Sequence, residues 1–200
     1  GTPVEGLLVS IQNPTVTVNE GEIAQNSGSI AEGWLQFSAY PGILDADPNT
    51  LTWTWSYQTS DGPEQSETVW LEVITNSEQQ GYFSFDLQVV NVAPTIALTG
   101  AETINDGVAY ALTLGTVVDP GDDTVNACQI NWGDGSSEDC LAALGGGTLS
   151  HTYANGTSTA TITVDLTDVD GTLTGACTKN ISGPISVVGV VDCSNTLVLA

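Results

Sequence analysis

The sequence predicts an all-β protein built as two consecutive β-sandwiches. Three observations carry this. Apolar and hydroxyl side chains alternate with a period of two; many short segments rich in Val, Ile, Thr, Trp and Tyr are separated by Gly, Pro, Asn and Asp turns; and a proline marks a joint near the middle of 200 residues. No stretch sustains a helical period.

The elements follow in order. Glu5–Gln12 is an apolar opening stretch, and strands are expected at Pro14–Val18, Trp34–Tyr40, Leu51–Tyr57, Glu67–Thr75 and Tyr82–Val92. In Leu51-Thr-Trp-Thr-Trp-Ser-Tyr57 the apolar residues occupy every second position. Trp53, Trp55 and Tyr57 thus share one strand face, which a sandwich core claims more readily than a sugar-stacking platform does. After Pro94 come Thr95–Thr99, Tyr110–Val118, Ala127–Trp132, Ser158–Leu166, Thr172–Ile181 and Ile185–Val191, punctuated by turns such as Asp61-Gly-Pro, Asn105-Asp-Gly, Gly133-Asp-Gly and Asp170-Gly. The joint falls at Asn91-Val-Ala-Pro94, because proline stiffens a connection and suits the first residue of an edge strand. The expected organisation is an N-terminal strand over 1–12, sandwiches over 13–93 and 94–189, and a tail over 190–200.

Charge narrows the partners. There are 24 acidic residues, one lysine, Lys179, and no arginine, for a formal charge of −23. Such a chain repels phosphate backbones and anionic bilayers, so neither nucleic acid nor membrane insertion is expected. It attracts divalent cations or basic partners, although the same charge also serves plain solubility. With 40% hydrophobic residues the chain is too apolar for an acidic disordered tail. It contains no methionine, which is expected of a processed mature form or a fragment, and its apolar runs are too short to span a bilayer.

Four cysteines stand at 128, 140, 177 and 193, with no Cys-x-x-Cys spacing to suggest zinc. An even count in an extracellular protein reads as two disulfides. Three pairings are open. Cys128–Cys140 across a hairpin around Gly133–Ser136, with Cys177–Cys193 tying down the C-terminal tail, is favoured over the other pairings and over four buried thiols.

Ile130-Asn-Trp-Gly-Asp-Gly-Ser136, His151-Thr-Tyr-Ala-Asn-Gly156 and Ile162-Thr-Val-Asp-Leu-Thr-Asp-Val-Asp-Gly171 make the second half resemble a PKD domain. The first half, with Val18-Asn-Glu-Gly21, Asn26-Ser-Gly28, Trp53-Thr-Trp-Ser-Tyr57 and Thr59–Ser66, resembles the bacterial tandem Ig-like repeats that alternate with PKD domains. The resemblance covers nearly all of 13–183. It implies two tandem immunoglobulin-like sandwiches serving architecture and display in extracellular surface proteins, stalks and adhesins, or as spacers in secreted hydrolases. In that topology the loop Asp119-Pro-Gly-Asp-Asp123 and the loop Asp168-Val-Asp-Gly171 lie at one end. Asp119, Asp122, Asp123, Asp168 and Asp170 are therefore candidate ligands for Ca2+, which takes six to eight oxygens in irregular geometry. The competing reading is that these aspartates only shape Asx turns. Asp134 belongs to the other end and is expected to shape its own turn, and Asp45 and Asp47 are a thinner candidate in the first half.

Leu8-Val-Ser-Ile-Gln-Asn-Pro-Thr15 echoes Leu87-Gln-Val-Val-Asn-Val-Ala-Pro-Thr95, with Pro14 where Pro94 stands. Glu5–Gln12 thus reads as the last strand of a domain that is not present. Either it is a scar of truncation, or Leu7, Leu8, Val9 and Ile11 form a protruding donor strand that adds to a neighbouring copy and builds a filament head to tail. Catalysis is not expected, because His151 has no identifiable nucleophile partner and the carboxylates sit on turns. The expected function is a structural subunit of an extracellular filament or cell-surface assembly, its partners other copies of itself. The alternative is a spacer or an adhesin module for glycans or cell-surface proteins, using aromatics such as Tyr40 or Trp34. Asn155 and Asn180 head the two glycosylation sequons, Asn155-Gly-Thr157 and Asn180-Ile-Ser182.

Overall fold

The computed structural model describes residues 9–104, 107–154 and 159–182. The chain divides into two compact units, Gly1–Val92 and Ala93–Ala200. Both are β-sandwiches.

Among the described residues, unit 1 holds eight strands: β1 (Val9–Ile11), β2 (Thr15–Asn19), β3 (Ile23–Ile30), β4 (Trp34–Tyr40), β5 (Ile43–Asp47), β6 (Thr52–Gln58), β7 (Glu67–Thr75) and β8 (Gln80–Val90). One sheet has the order β1-β3-β6-β5 and the other β2-β8-β7-β4. Lettered along the chain as A, A′, B, C, D, E, F and G, these are the A-B-E-D and A′-G-F-C sheets of an immunoglobulin-like sandwich. Trp53 and Trp55 on β6 are buried with Val69 and Leu71 of β7 and Phe85 and Leu87 of β8. The Trp55 and Phe85 rings meet edge to face at 4.9 Å, and the Trp55 indole donates to the Pro41 carbonyl at 2.7 Å.

The N-terminal strand is the main correction. Val9, Ser10 and Ile11 pair antiparallel with Ile30, Ser29 and Gly28, and Val9 and Ile11 pack against unit 1's own core. Those two residues are not a protruding donor; the cost of unpaired backbone groups is met inside the domain. Leu7 and Leu8 lie outside the described residues. The chain then switches sheets at Asn13-Pro14, and β2 runs parallel to β8 from Thr15↔Asp86 to Asn19↔Val90. Asn26, buried on β3, fastens this switch: its Oδ1 accepts from the Asn13 N–H at 3.2 Å and its amide donates to the Asn13 carbonyl at 2.8 Å. Gly28 lets β1 approach, because a Cβ there would strike the Ser10 carbonyl and the Trp53 ring.

Strand β3 has little apolar alternation to announce it, and in β5 only Leu44 and Ala46 alternate with Asp45 and Asp47. No strand is expected at Asn26-Ser-Gly-Ser29, yet Ile23–Ile30 pairs with β6 over seven residues. In β3, backbone pairing and the satisfied Asn26 amide add to the burial of Ala24 and Ile30.

Unit 2 holds β9 (Thr95–Gly100), β10 (Ala109–Val118), β11 (Ala127–Asn131), β12 (Ser137–Asp139), β13 (Thr148–Thr152), β14 (Thr159–Thr167) and β15 (Thr172–Ser182), with a 3-10 turn at Leu141–Ala143. Its sheets are β13-β10-β9 and β12-β11-β14-β15. Ile130, Trp132, Ile162, Val164 and Leu166 face Leu98, Leu112 and Leu114 in one core. Cys128 and Cys140 form a disulfide across the β11–β12 hairpin, with Cα atoms 5.0 Å apart. Closing a loop of this length stabilises the folded chain by about 3 kcal/mol in the chain-entropy model. Cys177 is oxidised as well, while Cys193 and the strand expected at Ile185–Val191 lie outside the described residues.

The one lysine is fully buried on β15, and its Nζ donates to Glu102 Oε1 at 2.8 Å. The pair ties β15 to the segment after β9, beside the Thr103–Ser182 bridge.

Gly28→Ala is expected to release β1 and to lower unfolding free energy by about 1–3 kcal/mol, a typical severe point effect. Denaturant unfolding of the full chain, with hydrogen exchange at Val9–Ile11, measures it; unchanged stability and protection would contradict the account of Gly28.

Candidate functional site

Unit 2 presents two constellations at its opposite ends. The first joins the Trp-Gly-Asp-Gly-Ser and His-Thr-Tyr motifs. Trp132 follows β11, and Gly133 turns the chain at a positive φ of 83° where a Cβ would meet the Thr161 backbone. His151 on β13 stacks on Trp132 at 4.9 Å and meets Tyr153 edge-on at 4.6 Å. Its Nε2 lies 2.7 Å from Asp134 Oδ2, and the Tyr153 hydroxyl donates to the Trp132 carbonyl at 2.9 Å. The hydrogen bond from the Ser136 hydroxyl, followed by His151, holds the Asp134 carboxyl down to about 2. Burial pushes the Tyr153 hydroxyl up to about 12, with the Asp134 charge adding to it.

Ser136, His151 and Asp134 are neighbours, but they do not form a relay. A triad needs the serine on one imidazole nitrogen and the aspartate on the other. Here Nε2 faces both, with Ser136 Oγ at 3.5 Å and Asp134 Oδ2 at 2.7 Å. Ser136 instead donates to Asp134. The group is a brace for the turn.

The second constellation is acidic. The segment between β10 and β11 carries Asp119, Asp122 and Asp123, and the β14–β15 turn carries Asp168 and Asp170. Asn126 bridges them, donating from its side chain to the Asp168 carbonyl at 3.1 Å and from its N–H to the Thr167 carbonyl at 2.7 Å. Asp168 is buried, and its Oδ1 accepts the N–H groups of Asp170 and Gly171, each at 2.9 Å. Asp119 Oδ1 accepts the Gly121 N–H at 3.2 Å. These are Asx turns. Asp119 Oδ2 nevertheless lies buried with no hydrogen-bond partner among the described residues. Burial raises the Asp119 carboxyl above the ordinary aspartate value, the Gly121 N–H opposes this, and the charges of Asp168 and Asp170 push it up further. A carboxylate oxygen of Asp123 lies within 4.8 Å of one of Asp170. Asp122 is exposed, and no contact among the described residues ties it to the other four.

Unit 1 contributes carboxylates that the sequence did not single out. Glu20 is buried and accepts the Gly62 N–H at 2.9 Å and the Val92 N–H at 2.8 Å. An oxygen of Asp61 lies within 4.8 Å of one of Glu20, and Asp61 Oδ1 is buried without a hydrogen-bond partner among the described residues. The signal was present in Asp61-Gly-Pro63, which reads as a turn, and in Val18-Asn-Glu-Gly21, which enters only as a motif of the Ig-like resemblance. Asp45 and Asp47 are exposed on edge strand β5, where Asp47 caps the Asn49 turn at 2.8 Å. Trp34 packs on Phe37 with ring centroids 5.7 Å apart, while Tyr40 stands exposed. Asn180 is exposed on β15 and accepts a hydrogen bond from Thr161 at 2.9 Å. Asn155 lies outside the described residues.

No family model and no curated protein matches the chain. Among solved structures, it is similar to one described as Dpr2 Ig1-Ig2 in complex with DIP-Theta Ig1-Ig3, at 13% identity and a TM-score of 0.35, covering 88% of this chain and 97% of that one. DIP-gamma IG1+IG2 gives 12% identity and 0.35, covering 88% and 95%. At these scores the Ig-like assignment rests on the chain's own strand order, set out above. No helix among the described residues is long and apolar enough to cross a membrane.

The Asp134 brace has a defined pH signature. Its folded value is depressed, so its stabilisation is complete above the unfolded value of about 3.8 and is lost as pH falls toward about 2. The stability difference between the native chain and Asp134→Asn should therefore shrink to nothing across that window in thermal melts. A difference that persists at the acid end would contradict the brace.

Proposed function

We propose that the chain is a non-catalytic extracellular module of a cell-surface or filamentous assembly, rigidified by calcium at the acidic end of unit 2. The observation that carries this is the Asp119 carboxylate, partly buried, repelled by Asp168 and Asp170, and holding one oxygen without a donor. Like charges gathered in this way are unfavourable until a cation neutralises them, and calcium tolerates the irregular oxygen set that two loops supply. Asp119, Asp123, Asp168 and Asp170 would furnish the ligands. The buried Cys128–Cys140 disulfide supports an oxidising compartment. The packing of Trp132, Asp134, His151 and Tyr153 supports reading unit 2 as PKD-like, since it gives that motif spacing a physical purpose.

Strand addition between copies is a second reading. With Val9 and Ile11 held in their own sheet, it would draw on Leu7 and Leu8. Deleting residues 1–8 should then abolish any polymer seen by sedimentation or microscopy while leaving unit 1 folded. Assembly unchanged by that deletion would end this reading.

Calcium is tested by melting the full chain with the ion and with chelator. A hundredfold excess over Kd adds about 2.7 kcal/mol, on the order of 10 °C for a unit of this size. Asp119→Asn should raise the melting temperature in chelator, by removing a repelled carboxylate, and erase most of the calcium-induced rise. Equal melting with ion and chelator would remove the site.

A further inference from the structure

The outer face of unit 1's β2-β8-β7-β4 sheet carries aromatic rings that its core does not use. Along β7 the side chains of Val69, Leu71 and Val73 are fully buried, which turns Trp70 and Glu72 outward. Trp70 lies opposite Tyr40 on β4, and Glu72 lies opposite Tyr82 on β8. Tyr40, Trp70 and Tyr82 are 75%, 54% and 60% exposed. Directly opposed residues on one sheet face stand about 5 Å apart at Cβ, and diagonal neighbours about 7–8 Å, so one ligand side chain can touch all of them.

A carboxylate is fixed among these rings. Glu72 Oε1 accepts the Gln80 amide at 2.7 Å and the Tyr82 hydroxyl at 3.1 Å. Two rows further along the same face, beyond Trp70 and Ser84, Asp86 accepts the Thr68 hydroxyl at 3.1 Å. A ring face beside an oriented carboxylate is the environment that a guanidinium or ammonium group recognises, through cation–π contact and a charge-assisted hydrogen bond.

The charge balance says where that cation comes from. A second copy would bring a further −23 and only one lysine, which is fully buried on Glu102. Face-to-face self-pairing would set Glu72 and Asp86 against their own duplicates. We propose that this face docks a basic protein partner that places an arginine or lysine side chain over Trp70 and onto Glu72. Arginine fits better, because its planar fork stacks on the indole while donating to the carboxylate. The net charge of the chain speeds the encounter, and the aromatic face sets where it ends. The proposal stands independently of the calcium loops.

The test titrates the full chain, in chelator and near-physiological salt, with an N-acetylated, C-amidated tetra-arginine peptide. Calorimetry supplies affinity and the Trp70 indole N–H resonance supplies location. Trp70→Ala and Glu72→Gln should each weaken binding by about fivefold or more, in line with a desolvated cation–π contact and a charge-assisted bond. Asp45→Asn, on the opposite sheet, should change it by less than about twofold. Both face residues are surface groups, so melting temperatures should match the native chain and exclude misfolding. Four results would overturn the proposal: no binding, equal affinity in all four proteins, a Trp70 shift caused by a neutral gluco-oligosaccharide but not by the peptide, or a concentration-dependent Trp70 shift without peptide.

Discussion

Unit 1 depends on the switch at Asn13-Pro14, where the first strand leaves one sheet and joins the other. Proline has no N–H to give to a ladder, so the chain can change partners there at small loss. Asn26 takes up both polar groups of Asn13, and Gly28 yields the space in which β1 lies. The consequence is one added strand on each sheet: β1 pairs with β3, and β2 pairs with β8. Without that switch, β3 and β8 would be the edges, and one of the two sheets would lack its N-terminal strand.

The distribution of charge follows a similar logic in unit 2. The chain uses its one lysine as an internal tie to Glu102, where removing either partner would leave a buried or half-buried ion uncompensated. No lysine or arginine remains on the described surface, which is left to carboxylates and hydroxyls. A net charge of −23 sets that surface against close approach by copies of itself.

The two ends of unit 2 show how similar turn chemistry serves different purposes. At one end Asp134 is satisfied by Ser136 and His151, its carboxyl is held low, and the ring stack fixes the turn. At the other, Asp119 accepts one backbone N–H and keeps an oxygen without a donor, with Asp168 and Asp170 raising its proton affinity. A satisfied aspartate shapes structure. Asp119 is half-buried, crowded by like charge and only half-satisfied, and so gains less from its turn.

Much of this was legible in the sequence. Period-two alternation placed Trp53 and Trp55 in the core and located most strands to within two residues, because strand periodicity is a local property. The Cys128–Cys140 hairpin and the convergence of the loops at Asp119 and Asp168 were legible for a related reason: each follows from turn spacing plus topology. The polar strand β3, the edge strand β5, the Glu20 and Asp61 carboxylates and the aromatic face at Trp70 were not, since each is defined by what lies across the sheet. The sharpest difference concerns the N-terminal strand. Its sequence correctly marked a strand ending at a proline, but whether it pairs with its own sheet or with another molecule depends on where β3 offers an open edge. Sequence by itself determined most of the segments that extend; tertiary structure decided the rest and all their partners, because hydrogen bonds between strands join residues that no local pattern connects.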